Sequence, residues 1–163
     1  VDSVFSDFQE TEAEVIAFYK HLKYYNPSLK KPRVITVFSD VDYRNKVVVT
    51  DSIVLIALDT YLGAEHEFYT SFYDYIKQNL NKDQIVPDLA TAYAEQLIYQ
   101  PKRATFLDEM IYCGKQLYLK DLWIPFKQNH EKIGYLPAQY QWAEDNEFYI
   151  WQYFVEKELF FGN

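Results

Sequence analysis

Cysteine is almost missing from this sequence. Cys113 is the only one in 163 residues. One thiol excludes an intrachain disulfide and a zinc site built from several thiolates. Histidine is scarce as well. The three present, His21, His66 and His130, do not stand at the spacing by which one helix face offers two ligands to a metal. Four glycines and six prolines are too few for a low-complexity chain. Neither a glycine-rich phosphate loop nor a GxSxG elbow occurs, so nucleotide binding and serine hydrolysis find no support. The longest apolar run, IVLIAL from Ile53 to Leu58, is far too short to span a membrane as a helix.

Aromatic residues are abundant: 16 Tyr, 12 Phe and 3 Trp. They predict a bulky core edged by hydrogen-bonded tyrosines. The net charge is −8, with acidic residues spread along the chain. This disfavours nucleic acid, whose phosphates need clustered Lys and Arg. The short basic run LKKPR, Leu29 to Arg33, reads as a solvated loop ahead of a strand.

The pattern begins with a helix in TEAEVIAFYKHLKYYNP, where Thr11 and Glu14 have capping-box spacing and Val15, Phe18, Tyr19 and Leu22 share a face. RVITVFS, KVVVT and SIVLIALD are β-branched runs separated by turn formers. Lys46 to Asp59 reads as a hairpin within a small sheet. IVLIAL is apolar on both faces, which suits an inner strand covered by helices. The second half is helical. Pro87 lies near the start of VPDLATAYAEQLIYQP and Pro101 closes it. Ala90, Ala94, Leu97 and Ile98 share a face there. Leu107, Met110, Ile111, Gly114, Leu117 and Tyr118 form a second stripe, with Gly114 suggesting a close helix crossing. A third long helix covers LPAQYQWAEDNEFYIWQYFVEKELF, with Ala143, Ile150, Trp151, Phe154 and Val155 inward. Helix, small sheet, then packed helices is an α+β order, and the expectation is a single domain over 1–163.

FSDVDYRNKVVV, IALDTYLGAEHEFY, FLDEMIYCGKQLYLKDLWIP, IGYLPAQYQWAEDNE and IWQYFVEKELF follow one another in this chain. Together they resemble the gliding-motility lipoprotein GldB family of Bacteroidetes, from about Pro32 to the end. The resemblance implies a periplasm-facing lipoprotein of the bacterial cell envelope, associated with gliding and the secretion linked to it. It also implies that this chain is a piece of a longer protein, attached to the membrane only through a lipid anchor outside the residues given. A more distant resemblance is to zinc peptidases of the HExxH type. AEQLI places Glu95 where the general base would stand, but Ala94 and Ile98 occupy the histidine positions. Cys113, before Gly114, stands where a third ligand would. That implies a zincin-like scaffold without its metal, since zinc needs about three protein ligands.

Glu65, His66 and Glu67 are adjacent, so their side chains diverge, and they read as a polar loop leaving the sheet. Asp59, at the end of the apolar run, is suited to capping a turn or binding a cation. Asp40 and Asp42 pair with Arg44 in a charged loop, with a weak calcium site as the other reading. Glu147 points toward the apolar face of the last helix and needs a partner there, with Lys115 and Tyr118 as candidates. Cys113 reads as a small core residue.

The expectation is an α+β fold, a small β-sheet on a bundle of long helices. Its role would be a noncatalytic scaffold or binding component of an envelope assembly, with envelope proteins as partners and neither metal nor cofactor. The alternative is a zinc-peptidase-like hydrolase, or a pseudopeptidase that keeps a peptide-binding cleft. Glu95 and Glu147 are the catalytic candidates for that alternative. Asp59, Tyr61, Lys115 and Tyr118 are the binding candidates.

Overall fold

The computed structural model describes residues 4–99 and 105–161. Pro101, expected to close a helix, lies outside them. The first helix, α1, runs from Gln9 to Tyr25. It starts one turn ahead of the expected cap, because the Asp7 carboxylate accepts the N–H of Gln9 at 2.9 Å. Thr11 is therefore inside the helix and buried. Phe18 and Leu22 form its inner face, as the spacing predicted.

Three strands follow: β1 (Arg33–Val37), β2 (Val47–Val49) and β3 (Ile53–Ala57). Their order is β1-β3-β2. The expected hairpin is present, with β2 antiparallel to β3 and Val48 opposite Leu55. β1 joins the other side of β3 in parallel, with Ile35 beside Leu55. β3 is thus the inner strand. Among the described residues its two faces are covered unequally: Val54 and Ile56 are fully buried, whereas on the opposite face Ile53 is 38% exposed, Leu55 half-buried and Ala57 buried.

A short helix, α2 (Asp74–Lys77), precedes α3 (Ile85–Leu97). α3 is the hub of the fold. Ile85, Val86, Leu89, Ala90, Tyr93 and Ala94 recur at helical spacing and are all buried. They meet Phe18 and Leu22 of α1, Val54 and Ile56 of β3, and Trp123 and Ile124 beyond. Pro87 sits in the first turn, where its missing N–H costs nothing. Leu97, expected on the inner face, is 57% exposed because the helix ends there.

α4 (Phe106–Trp123) opens with a capping box in which the Thr105 hydroxyl accepts the Asp108 N–H at 3.2 Å. Its inner edge is rotated from the expected stripe: Lys120 and Trp123 are buried and Leu119 and Leu122 pack on the core. Ile111, Gly114 and Tyr118 face outward, and Cys113 is exposed rather than in the core. A Cβ on Gly114 would meet nothing within 4 Å, so this glycine marks no helix crossing. After α5 (Asn129–Ile133), the expected single long helix is broken into α6 (Pro137–Asp145) and α7 (Glu147–Glu156). The break is at Asn146, whose φ of −110° leaves the helical region. Its side-chain amide donates to the Trp142 carbonyl at 2.8 Å, the local competition typical of Asn within helices. Neither α6 nor α7 has a buried residue. The architecture is α+β, a small mixed sheet against helices, as the order of elements predicted.

Candidate functional site

Asp59 and Tyr61, close in sequence, serve two separate polar centres. Asp59 follows β3 in a single 3-10 turn, Leu58–Thr60, and is 3% exposed. Its carboxylate accepts the Ser39 N–H at 3.0 Å, the Val41 N–H at 2.8 Å and the Ser39 hydroxyl at 3.3 Å. These donors belong to the loop that leaves β1. Within that loop Asp40 and Val41 have φ of 56° and 60°. This left-handed conformation is rare for a β-branched residue such as Val41 and persists only where the surroundings impose it. Asp59 is what imposes it. Asp59 makes no cap on its own turn and instead holds the neighbouring loop across the sheet. Tyr69 reinforces the corner: its hydroxyl donates to the Asp59 carbonyl at 2.8 Å and accepts the Leu62 N–H at 2.9 Å. An open depression of about 370 Å³ lies here, lined by Phe38, Asp40, Val41, Asp59 and Phe68. Asp42 accepts from its own loop, the Arg44 N–H at 3.2 Å and the Asn45 side chain at 2.8 Å. The Asn45 hydrogen bond is the leading cause that lowers the pKa of Asp42.

Tyr61 is fully buried under the sheet. Its hydroxyl donates to Asp88 of α3 at 2.9 Å. Lys46, at the start of β2, forms an ion pair with the same Asp88 oxygen and lies 5.3 Å from the centre of the Tyr61 ring. Burial, then the adjacent Asp88 charge, pushes the Tyr61 phenol well above its ordinary acidity range. The phenol therefore stays protonated and donates. Behind this group is Lys120 of α4, 8% exposed, whose ammonium donates to the Lys132 carbonyl at 2.7 Å. Burial lowers its pKa from 10.5 to about 8, partly offset by the Asp88 and Glu95 charges.

The remaining candidates are spread over the surface. Glu95 is exposed on the outer side of α3, near enough to Lys120 to act on its charge. Glu147 is exposed at the start of α7 rather than turned toward the core. It accepts the Trp151 indole N–H at 3.3 Å and has no bond to Lys115. The reason is the break at Asn146, which resets the helix phase on which the inward placement relied. Lys115 and Tyr118 do come together. With Leu97, Ile98 and Leu119 they line an open, apolar depression of about 370 Å³ at the C-terminal end of α3. His66 accepts the Phe68 N–H at 3.2 Å and packs edge-on to the Phe68 ring, a local role in the polar loop. Among the described residues no three His, Cys, Asp or Glu side chains are grouped to hold a metal ion.

Asp88, Lys46 and Lys120 were missed from sequence. Lys120 carried a readable signal, since it interrupts the apolar sequence LYLKDLW at a helical position that must face inward. Asp88 and Lys46 carried none, because their pairing depends on how β2 lies across α3.

A family model described as gliding motility protein GldB matches residues 1–163. No curated protein and no solved structure matches the chain. Among the described residues no helix is long and apolar enough to cross a membrane.

Proposed function

The chain belongs to the gliding motility protein GldB family, and from that premise we propose that it is a noncatalytic, protein-binding part of a cell-envelope lipoprotein. Its partners would be other components of an envelope assembly linked to gliding or secretion, on the periplasmic side. The observation that carries this reading is the surroundings of Glu95. Ala94 and Ile98, one residue before it and three after, offer no metal-binding atom, and Ala94 is fully buried. The carboxylates nearer the core are already engaged. Asp59 is bound by the loop after β1, and Asp88 by Tyr61 and Lys46.

The surface that suits a partner is the apolar depression of Leu97, Ile98, Lys115, Tyr118 and Leu119. Tyr118 at its rim is 65% exposed. Tyrosine beside apolar side chains is the composition enriched at protein interfaces. A photo-crosslinking residue placed at Tyr118 is expected to give a discrete protein adduct in the native envelope, and at Glu156 none. The opposing result is stoichiometric zinc in the purified protein together with a peptidase activity that Glu95→Gln abolishes.

A further inference from the structure

The sheet has one edge that no described residue covers. Arg33 donates its N–H to the Ser52 carbonyl at 2.8 Å, so Arg33, Ile35 and Val37 turn their backbone groups toward β3. Alternation along a strand then turns those of Val34 and Thr36 outward. No described residue bonds to either of them. Proteins usually blunt such an edge with a proline, a bulge or an inward charge. Within Arg33–Val37 β1 has no proline, its register against β3 is unbroken, and its charged residue, Arg33, stands at the first position.

Charge at the two ends of β1 selects what fits. Lys30, Lys31 and Arg33 are exposed at its start and Asp40 is exposed beyond its end. None of the four forms an ion pair with a described residue. A strand laid antiparallel therefore needs an acidic end beside the lysines and a basic end beside Asp40. β1 itself has that pattern.

We propose that β1 pairs antiparallel with β1 of a second copy of this chain about a two-fold axis at Ile35, joining the two sheets into one. In this register Val34 of each copy lies opposite Thr36 of the other, and each such pair exchanges two backbone hydrogen bonds. Every outward group on β1 is then satisfied. The basic end of one strand lies beside the acidic end of the other, whereas a parallel arrangement would set like charges side by side. The interface is isologous, so it closes at two copies and leaves no further β1 edge to extend into a fibre.

Sedimentation equilibrium of the chain is the test. The expected result is a monomer–dimer equilibrium that weakens with added salt. Thr36→Pro removes an N–H that bonds to no described residue of the monomer, on an edge strand where proline is tolerated. It is expected to weaken the dimer by more than about tenfold with unchanged circular dichroism. A cross-link provides a check independent of that variant's folding. The two Ile35 positions form a non-hydrogen-bonded pair with Cα atoms about 4.5 Å apart, within the span of a disulfide. Ile35→Cys in a Cys113→Ser background is expected to give a disulfide dimer on mild oxidation, and Val48→Cys, on the other edge strand, is not. A chain that stays monomeric up to its solubility limit, or equal cross-linking from Ile35→Cys and Val48→Cys, overturns the proposal.

Discussion

Asp59→Ala is the substitution that most directly probes how this sheet ends. The carboxylate holds two backbone N–H groups, those of Ser39 and Val41, at 3.0 and 2.8 Å. Hydrogen bonds to a charged acceptor contribute about 1.5–3 kcal/mol each, so their loss costs about 3–6 kcal/mol. Part is recovered, because the freed loop relaxes and Val41 leaves its φ of 60°, a strain of about 1–3 kcal/mol. The net expectation is about 2–3 kcal/mol of destabilisation, the remainder of these two magnitudes. Urea denaturation monitored by circular dichroism measures it. Native-state hydrogen exchange adds the local readout, since the Val41 amide should lose its protection before the amides of β3 do. Asp59→Asn keeps an acceptor oxygen but no charge, and should fall between the native chain and the alanine variant. A cost below about 1 kcal/mol, the scale of an ordinary neutral hydrogen bond, or an unchanged Val41 amide, would refute the idea that Asp59 imposes the loop.

Two other substitutions have defined outcomes. Gly114→Ala places a methyl in open space on an exposed helix interior and should stabilise the chain by about 0.5–1 kcal/mol in the same assay. Lys120 holds its proton to pH 10.5 when unfolded but only to about 8 when folded. Between those values the unfolded chain binds more protons, so stability rises with pH across that window and the full penalty acts below pH 8. Lys120→Met removes a penalty of about 3 kcal/mol and leaves the Lys132 carbonyl without its donor, a loss of about 1–3 kcal/mol. Its advantage over the native chain should therefore be largest near pH 7 and shrink toward pH 10. A difference that does not change with pH contradicts the buried-ammonium account.

The α+β class and the β2–β3 hairpin were legible because they rest on local pattern. β-branched runs are broken by turn formers, and helical periodicity begins after Ile85. The inner face of α1 at Phe18 and Leu22 was legible for the same reason. The phase of α4 was not. Tyr118 and Leu119 are comparable hydrophobes in sequence, and only the position of the core decides that Leu119 packs inward while Tyr118 stays exposed. The same ambiguity placed Cys113 in the core, and the unforeseen break at Asn146 placed Glu147 on an inner face. Periodicity gives the spacing of a stripe but neither which side of the helix meets a neighbour nor where the helix breaks.

By itself, the sequence determined the element types, the apolar character of β3 and the family. Those properties are fixed by composition and by patterns a few residues long. Tertiary structure decided that Asp59 would clamp a loop from another strand and that Asp88 would join Tyr61 to Lys46. Each of these depends on groups brought together across 18 to 42 positions of the chain, by the burial of α3 against the sheet. Local propensity carries no record of such distances.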